Sequence, residues 1–158
     1  MPLILSSKAF PASGTIVRRH TGDGEDLSPP LAWTDLPPGT RELAIIVDDP
    51  DAPSPQPWVH WILYKIPPTE SALAEGVHAK PAPGFPAGAL QGKNSWGTVG
   101  YRGPAPPRGH GVHHYHFKIY ALDSALNVAA GLDKPGLLRA MKGHILEETE
   151  LIGTYERK

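Results

Sequence analysis

The amino-acid sequence predicts a mostly β protein, and three observations carry that expectation. First, 19 prolines and 17 glycines among 158 residues argue against a helical bundle and for short strands joined by irregular loops. Second, two apolar runs, ELAIIV at Glu42–Val47 and WVHWILYKI at Trp58–Ile66, have the β-branched and aromatic content of buried strands. Third, the segment after GPAPPRGHG alternates: His113, Tyr115, Phe117 and Ile119 share one face, and His114, His116, Lys118 and Tyr120 share the other.

The elements follow in order. Residues 3–19 are expected to hold one or two edge strands around a turn at PASG (11–14), and His20–Pro30 to be a polar loop with solvated charges. Leu31–Trp33 reads as a short strand, and Glu42–Val47 delivers Asp48 and Asp49 to its own C-terminal end. Trp58, His60 and Ile62 share one parity of the next strand, Val59, Trp61 and Leu63 the other, so both faces are covered. The passage from Pro67 to Lys93 is rich in proline and alanine, with one helical turn expected near Ser71–Glu75. Asp133 can cap a helix that contains Pro135 and runs to about His144, with Leu137, Leu138 and Met141 as its apolar stripe. Ile145–Tyr155 closes the chain as a strand. No repeat or linker divides it, so residues 1–158 form a single domain whose 40% hydrophobic content supports a real core.

Charge and composition exclude several function classes. The formal net charge is −1 with no basic block, which speaks against nucleic acid as a partner. Cysteine is absent, so disulfide and thiolate chemistry are excluded. The N-terminal MPLILSSKAF is too short and too weakly basic for a signal peptide, and no later run could insert in a membrane. The expectation is a cytoplasmic protein.

Chemistry concentrates in two loops. DDPDAPSPQPWVHW (48–61) sets Asp49 and Asp51 between prolines and leads into Trp58 and His60. A histidine in apolar company needs a partner, and Asp49, Asp51 and His113 are candidates. GPAPPRGHG feeds His113 and Tyr115 into the mouth of the sheet, a rigid loop that reads as a pocket wall.

DPDAP followed by W-x-H, then G-P-x-P-P-x-G and H-x-Y before an apolar strand, resembles the phosphatidylethanolamine-binding protein family. The closer likeness is to its small bacterial, Raf-kinase-inhibitor-like branch. LSPPLAW (27–33), LPPGTRELAIIVDDPDAP (36–53), ALQGKNSWG (89–97) and ELIGTYER (150–157) extend the resemblance over about residues 3–157. It implies an antiparallel β-sandwich with Greek-key connections and one or two peripheral helices. It also implies that residues 67–93 form an ordered excursion, and that the peptide bond at Gln56–Pro57 is cis. Asp49, His60, Pro107, His113 and Tyr115 match the family's ligand-binding positions, while Asp51 and Trp58 match neighbours that shape the entrance. Two positions depart from the bacterial pattern: Ala105 stands where many relatives have cysteine, and His114 where arginine is common.

Three readings of the site follow. In the first, the pocket binds a small anion, a phosphate monoester, phospholipid headgroup or carboxylate, without catalysis and without a cofactor. Protonated imidazoles attract the anion, Tyr115 donates to it, and Gly109 and Gly111 wall it with loop N–H groups available. Asp49 then orients a histidine and favours its charged form. In the second, Asp49, His60 and His113 hold a metal in a hydrolase. Against that, His114 and His116 lie on the face opposite His113, and no HExxH helix is present. Nucleophilic catalysis has neither a cysteine nor a G-x-S-x-G serine. In the third, the protein is an interaction module with a vestigial pocket, whose partner by resemblance is a protein such as a kinase. A homodimer stays open; His114 and His116 are expected to pack against a second sheet.

Overall fold

The computed structural model describes residues 2–158 as two antiparallel sheets packed face to face. The smaller sheet has the order β1 (Ile4–Ser6), β2 (Leu31–Thr34), β5 (Ala72–Leu73). The larger runs β6 (Leu90–Gln91), β4 (Trp58–Ile66), β3 (Glu42–Asp49), β7 (His113–Leu122), β8 (Ile145–Tyr155). β3 and β4 pair directly, and β7 returns by a long connection to the other edge of β3. Such returns give the mostly β, antiparallel sandwich its topology.

β3 is buried along its whole length, as expected of a central strand covered on both faces. One face of the large sheet packs Leu43, Ile45, Val47, Trp61, Leu63, Phe117 and Ile119 against Leu5, Leu31 and Trp33 of the small sheet. The opposite face packs Ala44, Ile46, Ile62, Tyr64 and Tyr120 beneath α1 (Lys134–Met141) through Leu137 and Met141. Asp133 caps that helix by accepting from the Gly136 N–H at 2.8 Å.

Several local expectations need correction. The helix stops at Met141, short of His144, because Lys142 leaves helical backbone and Gly143 takes a positive φ of 82°. Residues around Ser71–Glu75 form no helical turn: Ala72–Leu73 pair with Leu31–Ala32 as a third strand. Gln56–Pro57 is trans, the ordinary preference of an X–Pro bond, and the cis bond lies at Phe85–Pro86. The His20–Pro30 loop is not merely solvated. His20 is buried with Nδ1 2.9 Å from the Leu27 carbonyl, and Asp26 accepts from the Gly103 N–H at 2.7 Å. Asp23 accepts from the Tyr155 hydroxyl and from Arg157. This loop therefore braces the start of the proline-rich loop and the end of β8.

The passage from Pro67 to Lys93 contributes only β5 and β6, yet it is held firmly. Fully buried Gln91 accepts from Trp61 Nε1 at 2.7 Å and donates to the carbonyls of His78 and Lys80. One side chain thus ties the excursion to the core.

Candidate functional site

A β-bulge positions the first histidine. Val47 pairs with Trp61 and Asp48 with Val59, so His60 is an extra residue in β4. The bulge shifts the strand's parity. Val59 joins Ile62 and Tyr64 on the helix-covered face, whereas Trp61 and Leu63 face the small sheet. The expected grouping of Trp58, His60 and Ile62 on one face is therefore broken after His60. His60 stays on the Tyr115 side, the rings edge to face at 5.1 Å.

Around these residues lies a cavity of about 280 Å³ lined by Asp49, Trp58, His60, Trp96, Pro107, His113 and Tyr115 among others. Ala52, Pro53 and Ser54 complete it from the DPDAP loop, and Ala105 and Pro106 from the proline-rich loop. All five candidate ligand residues, Asp49, His60, Pro107, His113 and Tyr115, thus border one space. Trp58 joins them, but Asp51, Gly109 and Gly111 are not among the residues lining it. Asp51 is turned outward, accepting from the backbone N–H of His114 at 2.7 Å, with His114 Nδ1 also at 2.7 Å. The Gly109 N–H cannot serve an anion, because it donates to the Arg157 carbonyl at 2.9 Å.

The hydrogen bonds fix each group's role. Asp49 Oδ2 accepts from His113 Nδ1 at 2.6 Å, and Oδ1 accepts from the Asp51 N–H at 2.8 Å. Both carboxylate oxygens are engaged, so Asp49 holds the His113 ring in one orientation. His60 is not served by Asp49, Asp51 or His113. Its Nδ1–H donates to the Arg102 carbonyl at 2.6 Å, a partner that no side-chain pattern announces. That bond leaves the Nε2 of His60 with no hydrogen-bond partner among the described residues. Burial pushes the His60 pKa below its ordinary 6.5, opposed by the bond to Arg102 and the charge of Asp49.

Tyr115 is 1% exposed, and its hydroxyl has no hydrogen-bond partner among the described residues. Burial and the nearby Asp49 charge push its pKa far above 10.0, so it remains an O–H donor. The wall opposite is aromatic. Trp96 meets His60 edge to face at 5.1 Å and Trp58 at 5.5 Å, and the Arg102 guanidinium sits 4.7 Å from the Trp96 ring centre. Asn94, buried, holds this wall by accepting from the backbone of Trp96 and Thr98 and donating to the Gly100 carbonyl. Its role is loop stabilisation, behind the cavity.

His114 and His116 do not pack against the second sheet. Their face carries Asp48 in pair with His116, and each ring meets a carboxylate at the surface, Asp51 at 2.7 Å and Glu150 at 2.9 Å. Among the described residues no three histidine, aspartate or glutamate side chains gather as a metal site would need. Nor is any helix long and apolar enough to cross a membrane.

Sequence reasoning missed the Arg102 carbonyl and the pairing of His110 with His113, Nδ1 to Nε2 at 2.6 Å. Backbone acceptors leave no sequence signal. His110 sat in view within the GHG triplet, but its spacing of three from His113 matches no strand periodicity.

Comparison with known proteins agrees with this architecture. A UPF0098 protein of Methanothermobacter thermautotrophicus is 48% identical over 153 residues, covering 97% of this chain and 98% of the relative. The crystal structure of a putative phosphatidylethanolamine-binding protein homologue, CT736 of Chlamydia trachomatis, superposes with a TM-score of 0.89 at 39% identity, covering 99% of both chains. YbcL of E. coli, described as a member of the mammalian PEBP family, gives 0.92 at 30% identity over 100% of both chains. The family model for phosphatidylethanolamine-binding protein matches residues 6–156, and the chain belongs to that family.

Proposed function

We propose that this protein binds a small anionic ligand, a phosphate monoester, phospholipid headgroup or carboxylate, in the Asp49–His60–Pro107–His113–Tyr115 cavity without turning it over. The observation that carries the reading is the buried, unpartnered hydroxyl of Tyr115 in the same cavity as the free Nε2 of His60. Native proteins rarely leave such a group unpaired, at a cost of about 1–3 kcal/mol. A ligand oxygen placed between the two would accept from both once His60 carries a proton. Size favours a headgroup over a whole lipid, since about 280 Å³ is at the small end of ligand cavities, roughly 300–1,000 Å³. Family membership supports a binding role, and the family's name, a phospholipid carrying phosphate, supports this ligand class.

The test is a titration with inorganic phosphate followed by histidine-ring NMR. Binding should shift the His60 ring signals, and Tyr115→Phe should weaken it by about 0.5–1.5 kcal/mol, the worth of one neutral donor. Unmoved His60 signals at saturation, or a Tyr115→Phe variant as tight as the parent, would overturn the proposal.

A further inference from the structure

Each ring nitrogen of His113 already has a partner. Nδ1 lies 2.6 Å from Asp49 Oδ2, and Nε2 lies 2.6 Å from His110 Nδ1. Asp49 is buried and held by the Asp51 N–H as well, so the Nδ1 side is fixed. Only Nε2 remains for a ligand, and His110 holds it. The Nδ1 proton is given to Asp49, and the second ring proton that an anion would accept belongs at Nε2, where the ring of His110 stands instead.

The two rings differ in how firmly they are anchored. His113 begins β7, pairs with Tyr155 and is 1% exposed. His110 is exposed and stands between Gly109 (φ 73°) and Gly111 (φ 90°). A Cβ built at either glycine would meet nothing within 4 Å, so the loop tip has room to turn about both. The segment before it is tied by Gly109 N–H to the Arg157 carbonyl and His110 N–H to the Pro107 carbonyl.

We infer that His110 is an internal competitor for the ligand: it occupies His113 Nε2 in the free protein and must release it before an anion can engage that nitrogen. This rests on the anion-binding reading of the same cavity. It makes His110, a residue outside the cavity lining, a determinant of affinity. A competitor bound in the free state lowers apparent affinity by the fraction of molecules it occupies. Removing it should therefore tighten binding, whereas removing a true ligand contact would weaken it.

Two measurements test this on the full chain. In the free protein, ring ¹⁵N spectra should show a scalar coupling between His110 Nδ1 and His113 Nε2, and His110→Ala should move the His113 Nε2 signal toward the unbonded position. Titrated with inorganic phosphate, His110→Ala should bind several-fold more tightly than the parent, and His110→Gln, which retains a hydrogen-bonding side chain, should fall between. Absence of the coupling together with an unmoved His113 Nε2 signal in His110→Ala overturns the competitor, as does unchanged or weaker phosphate binding by that variant. If neither protein binds phosphate, the anion reading fails. The inference then stands or falls on the ring spectra, which need no ligand.

Discussion

At the scale of single residues, the site turns on where protons sit. His60 gives its Nδ1 proton to the Arg102 carbonyl and is held below the ordinary imidazole pKa by burial. In the free protein near pH 7 its Nε2 is therefore a lone pair, the wrong polarity for an anion. On the proposed reading, a bound dianion would bring a proton to His60 and raise its pKa in the complex, because the anion favours the charged ring. By linkage, affinity is strongest below the free-protein pKa and weakens as pH rises through the pKa of the complex. Sulfate is a suitable probe, since it does not itself titrate there. Calorimetry in buffers of different ionisation enthalpy should show uptake of up to about one proton per sulfate near pH 7. His60→Gln should abolish the uptake, and Tyr115→Phe should weaken binding and leave it intact, because Tyr115 stays a neutral donor. Uptake undiminished in His60→Gln would assign the proton elsewhere. Of this residue-scale picture, a histidine-orienting role for Asp49 is legible in the sequence, but not that His113 is the histidine it holds. The partner of His60 is not legible either, because a backbone carbonyl from a loop 42 residues away leaves no trace in residue identity.

At the scale of elements, strand locations were legible and strand faces only partly so. Trp58–Ile66 coincides with β4, an apolar run whose ends Pro57 and Pro67 mark, and Ile145–Tyr155 coincides with β8. The bulge at His60 was hidden, since it depends on the register against β3 and not on composition. Short pairings such as Ala72–Leu73 were equally hidden: two residues carry no periodicity, and only the edge of β2 makes them a strand. The loop from Asn94 to Gly100 shows what such unseen contacts contribute. Asn94 is 4% exposed, and its amide serves Trp96, Thr98 and Gly100 together. Asn94→Ala leaves the buried Gly100 carbonyl unpaired and removes the part-buried bonds to Trp96 and Thr98, so a loss of about 1–3 kcal/mol is expected, measured by urea unfolding. Because Trp96 is a cavity wall, ligand affinity should fall as well. A variant of parental stability would show that the loop is held by its backbone alone. β8 offers a second check. Gly153 lies opposite Tyr115, and a Cβ there would meet Ile16 Cγ1 at 2.6 Å and Phe10 Cε2 at 2.7 Å. Gly153→Ala should cost about 1–3 kcal/mol through overpacking.

At the scale of the whole molecule, the proposed function ties the cavity and the fold to one proton, that of His60. The folded-state pKa of His60 lies below its unfolded value of 6.5. The stability contributed by its neutral form is therefore complete above that value. It is lost as pH falls below 6.5 toward the folded pKa, where the unfolded chain binds more protons. A dianion bound as proposed would reverse the sign, because His60 in that complex would hold its proton more tightly than the unfolded chain does. Ligand should accordingly rescue the protein most where acid harms it. A ligand specific to the native state stabilises by about 2.7 kcal/mol at 100 times its Kd, and the protonation argument makes that Kd smaller at pH 5.5 than at pH 7.5. Thermal unfolding with a fixed sulfate concentration should show a rise in Tm that is larger at pH 5.5 than at pH 7.5. General salt effects act on any folded surface, so the control is His60→Gln, in which the difference between the two pH values should shrink to that common background. If the parent and His60→Gln gain equally at both pH values, sulfate is not reaching the His60–Tyr115 cavity, and fold and site do not share the proton.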